Sequence, residues 1–503
     1  MPYAITQSCC SDASCVSVCP VNCIHPTPQE RAFGSTEMLY VDPRTCISCG
    51  ACSDACPADA IHPIETLTGP LQQYAAINAA YFGEIPPPGD PAPNFHLWDQ
   101  PEPPRPLPST PIPLRVAIVG TGPAGMYAAE DLLLHTNAEV TLVDRLPSPG
   151  GLLRYGVAPD HPATRKVADR FARFHDHPRT RTVLGIEIGR DLTHEDLLAH
   201  HNAVIYAVGS ATDRRLGIPG EDLPGSIPAR RLVGWYNDHP EIDTVHLPAG
   251  RVVIAGTGNV ALDIARILTT DPAALRNTEI AQRALSVLEK HQDREIVLLA
   301  RRGPAEASYS LSELLELQHL AGVDLVVDDH DPRIRAALAE PTNAKAAALR
   351  DAALETIDWA STPKPGRRIV LRFYTTPSEL TGHDRVRSVR TTDGLDLNTE
   401  LFIRSVGYRG TPIPGLPFDE ESGVIPNHSG RVTDRPGTYV VGWIKRGPTG
   451  GIGTNRTCAK QTINTLLTDA TTGLLPPPPR SRSSFPRASF PRAPVPRRSI
   501  PRP

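Results

Sequence analysis

Nine of the ten cysteines in this 503-residue chain lie between Cys9 and Cys56. Thiolates bunched in one stretch of a long chain suit soft metals better than a disulfide framework. Cys46, Cys49, Cys52 and Cys56-Pro57 follow Cys-x2-Cys-x2-Cys-x3-Cys-Pro, a spacing that wraps an iron–sulfur cluster. A near-copy upstream runs Cys9, Asp12, Cys15, Cys19-Pro20, with a carboxylate at the second ligand position. In paired sites the fourth cysteine of each run crosses to the other cluster. One site then uses Cys46, Cys49, Cys52 and Cys19. The other uses Cys9, Cys15 and Cys56, with Asp12 as a fourth ligand of a 4Fe-4S cluster or as a bystander to a 3Fe-4S cluster. Ligand softness alone does not choose between these. Cys10 competes with Cys9 as a ligand. A zinc ribbon also uses Cys-x2-Cys pairs, but it leaves the repeated triple spacing and the Cys-Pro endings unexplained.

A second chemistry is written in glycines. Residues 115–120 form a strand-like run, followed by Gly120-x-Gly122-x-x-Gly125, a helical stretch, and a second strand ending in Asp144. That is the dinucleotide fingerprint: a tight turn, pyrophosphate over a helix N-terminus, and an acid for a ribose hydroxyl. A further Gly-rich turn follows at 147–162, where flavin sites bring backbone close to the cofactor. The pattern recurs as Gly256-x-Gly258-x-x-Ala261, but the next strand ends in Arg301 and Arg302. Paired guanidiniums suit a 2′-phosphate, so the expected pyridine nucleotide is NADP(H).

These groups need scaffolds. The cysteine-rich unit is expected over 1–83, then a Pro-rich linker over 84–113 that cannot pack as helix or central strand. From 114 onward short apolar strands alternate with helical stretches, which predicts an α/β chain of parallel sheets. The expected division is a discontinuous unit, 114–213 with 404–473, around a second nucleotide unit, 214–403. The tail, 474–503, carries Arg480, Arg482, Arg487, Arg492, Arg497, Arg498 and Arg502 without an acid. Its composition predicts disorder. The formal net charge is −4, so the whole chain has no nucleic-acid footprint. Neither a secretory leader nor an apolar run of about 18 residues is visible, which predicts a cytoplasmic protein with no membrane partner.

The N-terminal part resembles bacterial two-cluster ferredoxins, including those with one 3Fe-4S and one 4Fe-4S cluster; there Cys23, after the first Cys-Pro, matches a non-ligand. The gap from Cys9 to Cys15 is shorter than is usual in the seven-iron kind and resembles ferredoxins with an aspartate ligand. Residues 114–470 resemble ferredoxin–NADP reductases of the adrenodoxin-reductase type, in the motifs at 156–162, 218–226 and 442–455. The resemblance implies a two-dinucleotide-binding, Rossmann-like flavoprotein behind a small α+β ferredoxin domain. It also implies FAD contacts at Ala124, Asp144, Leu152 and Ile188. Trp443, Gly450, Gly451 and Ile452 match the loop that meets isoalloxazine and nicotinamide. Arg214, Thr257, Gly258, Asn259, Val260, Arg301, Arg302 and Glu313 match NADP contacts. His161 and Glu316 match a pair beside the flavin–nicotinamide contact, where they orient the nicotinamide and tune flavin protonation.

The expected activity is transfer of electrons between NADPH, FAD and the chain's own clusters, then to an external ferredoxin or other one-electron acceptor. Two alternatives are an electron-input subunit resembling the small subunit of NADPH-dependent glutamate synthase, and an iron–sulfur redox sensor. Cys458 lacks a Cys-x-x-Cys partner and is expected to be structural.

Overall fold

The computed structural model describes residues 2–83, 113–290, 294–476 and Phe485. The expected linker, apart from Pro113, and most of the Arg-rich tail lie outside the described residues. Phe485 of that tail is buried: its ring packs edge-on against His200 and His201, and Arg181 Nη2 donates to its carbonyl at 2.9 Å.

The cysteine-rich unit is built as two near-equivalent halves. Strands Tyr3–Ile5 and Ile61–Pro63 pair antiparallel, as do Ile24–His25 and Tyr40–Val41. Each half has a short helix, Ser14–Val18 or Ala51–Ala55, entered from a residue in the left-handed region, Ala13 or Gly50. Positive φ recurs at Ser11 and Ser48, at Ala13 and Gly50, and at Asn22 and Asp59, each pair at the same sequence offset. That offset also superposes Asp12 on Cys49. Non-glycine residues held at positive φ store strain that a metal-wrapping loop can use. The helix Gln73–Tyr81 closes the unit: Asn78 accepts from Ile5 N and Val41 N at 3.1 and 2.9 Å and donates to Ile5 O at 2.8 Å.

Two seven-stranded sheets follow. The first runs Asn427–His428, Arg431–Val432, Thr438–Val440, Ala203–Tyr206, Arg115–Val119, Glu139–Asp144, Thr180–Leu184, and is parallel from Thr438–Val440 onward. The second runs Ser226–Pro228, Leu401–Arg404, Gly250–Ala255, Arg294–Leu299, Arg367–Arg372, Val323–Asp328, Ala353–Glu355, all parallel. The central strands are near-continuous Val, Ile and Leu because both faces are covered, in the second sheet by helices on one side and by Trp359 and the appended antiparallel strands on the other. An antiparallel three-stranded sheet, Pro377–Thr381, Ser388–Thr391 and Asp396–Asn398, is appended to the second unit. Among the described residues, no helix is long and apolar enough to cross a membrane.

Candidate functional site

Both glycine fingerprints lie where a parallel strand hands over to a helix. Gly120, at φ 105°, follows Arg115–Val119, and the helix Pro123–His135 begins three residues later. A Cβ on Gly120 would lie 2.5 Å from Ala207 O, and one on Gly256 (φ 110°) 2.2 Å from Ser405 O, so neither turn admits a side chain. Gly122 and Ala124 open the first helix, and Gly125 packs onto Gly120. Asp144 ends its strand as expected, but its carboxylate also organises the loop. Oδ2 accepts from Thr121 N at 2.8 Å and Thr121 Oγ1 at 2.5 Å, and Oδ1 accepts from Leu146 N at 3.0 Å.

Leu152 is exposed at the start of the short helix Leu152–Tyr155, beyond the second glycine turn. Ile188 bridges to Leu192 and packs at the edge of the first unit's core. In the second motif Thr257 is buried, and the helix Asn259–Thr269 starts at Asn259-Val260 with Gly258 as its N-cap. Arg301 and Arg302 stand exposed past the strand Arg294–Leu299. Arg214 is exposed beside Gly407. Tyr408 and Trp443 have ring centroids 5.6 Å apart, and the indole N–H of Trp443 points back to the carbonyls of Thr449 and Gly450, which join Gly451 and Ile452 in one loop. Cys458 is buried on the helix Thr454–Thr471, where its sulfur accepts from Gly442 N at 3.3 Å.

His161 and Glu316, 155 residues apart, meet: Nε2 lies 2.9 Å from Oε2. Arg266 lies behind them, nearly buried. Its Nη1 donates to Glu316 Oε2 at 2.9 Å and stands 4.0 Å from Glu313, its Nη2 donates to Asp263 at 2.6 Å, and its Nε to Asp160 at 3.1 Å. His161, Glu313 and Glu316 bring their ligand atoms within 4.8 Å of one another, as a cation site would; the guanidinium already supplies a positive charge there. Burial pulls the His161 imidazole down, but the Glu316 carboxylate overrides it and raises the pKa to about 9. Burial, together with the Asp263 charge, pushes Glu313 up to about 8. Sequence reasoning missed Arg266; the only signal was an Asp263–Arg266 pair at i,i+3 on an otherwise apolar helix.

The cysteines gather into two pockets, and among the described residues all ten are free thiols. Tyr3, Ile47 and Gly50 line one with Cys19, Cys23, Cys46, Cys49 and Cys52. Cys23, a bystander by resemblance, sits inside it with its sulfur 3.4 Å from that of Cys19. Hydrogen bonding to Cys23 lowers the pKa of Cys19 and of Cys46, the direction a thiolate ligand needs. Cys9, Cys10, Asp12, Cys15 and Cys56 line the other pocket with Ile5, Leu39 and Ile61. Burial raises Cys9, Cys15 and Cys56 there, and soft cations would offset that cost. Both sulfur-lined pockets fit a cluster. Cys9 packs in the core of its own unit, whereas Cys10 packs among the helices of the first sheet.

Asp12 is held from two sides. Ser14 donates to its carboxylate through N at 3.1 Å and Oγ at 2.6 Å, and Arg170 Nη1 donates to Oδ2 at 3.2 Å. Arg170, on the helix Val167–His175, belongs to the first nucleotide unit and also binds Glu130 at 2.9 Å. Arg456 Nη1 donates to Asp12 O at 3.1 Å, Gly453 N donates to Cys10 O at 2.8 Å, and Lys166 pairs with Asp59 at 2.8 Å. These contacts seat the Asp12 pocket directly beyond the Gly450–Ile452 loop. The other pocket faces outward, with Ile47 58% exposed.

Two dinucleotide folds, a glycine loop with a facing aromatic, and one of two cysteine-lined pockets seated against that loop define a pyridine-nucleotide oxidoreductase joined to iron–sulfur centres. Residues 114–302 match the pyridine nucleotide-disulphide oxidoreductase family, and residues 39–62 match the 4Fe-4S binding domain. A probable ferredoxin/ferredoxin–NADP reductase of Mycobacterium tuberculosis is 47% identical over 95% of this chain and 85% of its own length. The human mitochondrial NADPH:adrenodoxin oxidoreductase is 39% identical over 73% of this chain and 81% of its own. Among solved structures, Mycobacterium tuberculosis FprA in complex with NADPH superposes with TM-score 0.65 at 40% identity, covering 73% of this chain and 87% of that one. The chain belongs to the ferredoxin/ferredoxin–NADP reductase family.

Proposed function

We propose that the chain is an NADPH-dependent ferredoxin reductase that moves electrons between NADPH, FAD and its own two clusters, then to an external one-electron acceptor such as a ferredoxin. Bound FAD accepts a hydride from NADPH and releases electrons singly, which iron–sulfur clusters can carry. Gly120, Gly122, Ala124, Gly125, Asp144, Leu152 and Ile188 hold FAD, and Trp443 with Gly450, Gly451 and Ile452 border its ring. Arg214, Thr257 to Val260, Arg301, Arg302 and Glu313 hold NADP(H), while His161 and Glu316 orient the nicotinamide. The units are 1–83, 114–213 with 404–473, and 214–403. Ten free cysteines suit a reducing cytoplasm.

The observation that carries this reading is the seating of the Cys9, Cys15 and Cys56 pocket against Gly453, with the Cys19, Cys46, Cys49 and Cys52 pocket turned to solvent. The order of transfer is then inward pocket first and outward pocket second. The Asp12 carboxylate already accepts from Ser14 and Arg170, which favours a 3Fe-4S site with Asp12 as bystander.

Low-temperature electron paramagnetic resonance of the full chain, oxidised and then reduced with NADPH under argon, tests both points. The expected result is an oxidised 3Fe-4S signal that survives added iron, with a further signal on reduction. Silence when oxidised, with signals only after NADPH, would mean four-iron clusters with a ligand such as Asp12 at the open corner. Clusters that NADPH does not reduce would overturn the proposed function.

A further inference from the structure

The helix Leu311–Gln318 carries both Glu313 and Glu316, and its first N–H groups have no partner within the helix. Ser310 Oγ accepts from Glu313 N at 3.3 Å. Leu311 N is satisfied by a residue 274 positions away: it donates to Glu37 Oε2 at 2.7 Å. The other oxygen of Glu37 lies 3.2 Å from Lys345 Nζ, in a pair only 25% and 30% exposed. Lys345 also donates to Ala307 O at 3.4 Å, just ahead of the helix. Ser310 N donates to Asn259 Oδ1 at 2.8 Å, so the same helix start is tied to the second glycine motif. At the far end, Gln7 stands near enough to the Glu316 carboxylate to favour its ionised form. Gln7 lies two residues before Cys9.

The cysteine-rich unit therefore grips the second nucleotide unit through Glu37 while Arg170, Arg456 and Gly453 hold it to the first. A carboxylate at a helix N-terminus is stabilised by the macrodipole and by the unsatisfied N–H groups. The Glu37–Lys345 pair fixes that carboxylate.

We propose that the fused cysteine-rich unit is a working part of the hydride-transfer site: Glu37, paired with Lys345, is a positioning residue that holds the Leu311–Gln318 helix and, through it, seats Glu316 against His161. This rests on the role assigned above to His161 and Glu316. In a chain where the unit were only a tethered shuttle, these contacts would be dispensable to flavin reduction.

The test uses full-length holoprotein with E37A and E37Q, reading amide hydrogen exchange over residues 311–318, NADPH-driven flavin bleaching across pH, and cluster signals. E37A is expected to speed exchange at Leu311–Glu313 by roughly threefold to tenfold and to slow bleaching by a similar factor. E37Q, which keeps an acceptor, should recover part of both. Intact cluster signals show that the unit is still formed. Faster exchange with unchanged bleaching and pH profile would reduce Glu37 to a stabilising cap and overturn the proposal, as would no change in either. H161Q and E316Q separate the two ideas. If they leave bleaching and its pH profile untouched, the site reading fails, whatever Glu37 does to the helix.

Discussion

His161 is the residue whose chemistry the surroundings change most usefully. Burial and the Arg266 charge both disfavour its imidazolium, and the Glu316 carboxylate at 2.9 Å outweighs them. The folded pKa, about 9, lies above the ordinary 6.5. The pair's stabilisation is therefore complete below the ordinary value and is lost as pH rises through about 9. E316Q removes the carboxylate but keeps the burial and Arg266. The protonation step seen in NADPH-driven flavin bleaching should move from near pH 9 to pH 6.5 or below. A step that stays near 9 would assign it to another group. His161 and Glu316 were legible as a pair only through resemblance, because 155 residues separate them and neither sits in a spacing that chemistry dictates. Arg266 was not legible, since its i,i+3 pairing with Asp263 reads as an ordinary helix-surface pair and gives no sign of Asp160, Glu313 and Glu316, which complete the four carboxylates around it. Asp12 was legible as an anomaly, but its partner Arg170 comes from a helix that carried no motif.

At the scale of elements, strands were easier to read than contacts between them. Runs such as 115–119 and 251–255 are apolar on both faces because a parallel sheet is covered on both, and the glycines beside them mark turns that a Cβ would block. The seating of one unit on another left no such mark. Gly453 shows why. It has φ −68° and ψ −30°, an ordinary helical conformation that any residue adopts, so nothing local calls for glycine. A Cβ there would nevertheless lie 2.2 Å from Asp12 N and 2.3 Å from Ser11 C, both backbone atoms of the cysteine loop. Gly453→Ala is therefore expected to push the two elements apart at a cost of about 1–3 kcal/mol. Exchange over residues 9–15 should rise and cluster reduction by NADPH should slow, while flavin bleaching continues. Equal exchange in the variant and the parent would mean that the loop does not rest on Gly453.

The whole molecule sets how the electron leaves. A tether raises the effective concentration of a weak partner, but here the unit is also packed. Cys10 and Ala58 share a core with the helix Pro123–His135, and Asp12, only 5% exposed, faces Arg170. Salt screens exposed pairs such as Lys166–Asp59 far more than a buried one. NADPH-driven cluster reduction should therefore be first order, independent of protein concentration, and nearly constant from about 0.1 to about 1 M salt, where the screening length falls to about 3 Å. Transfer onward has a different geometry. The inward pocket is covered, so an external acceptor must approach the face of Cys49 and Ile47, and that step should be bimolecular and salt-dependent. Stopped-flow measurement of the two steps in one salt series separates them. A cluster-reduction rate that rose with protein concentration would mean that the unit serves neighbouring molecules, and the packed seat would then not be the working one.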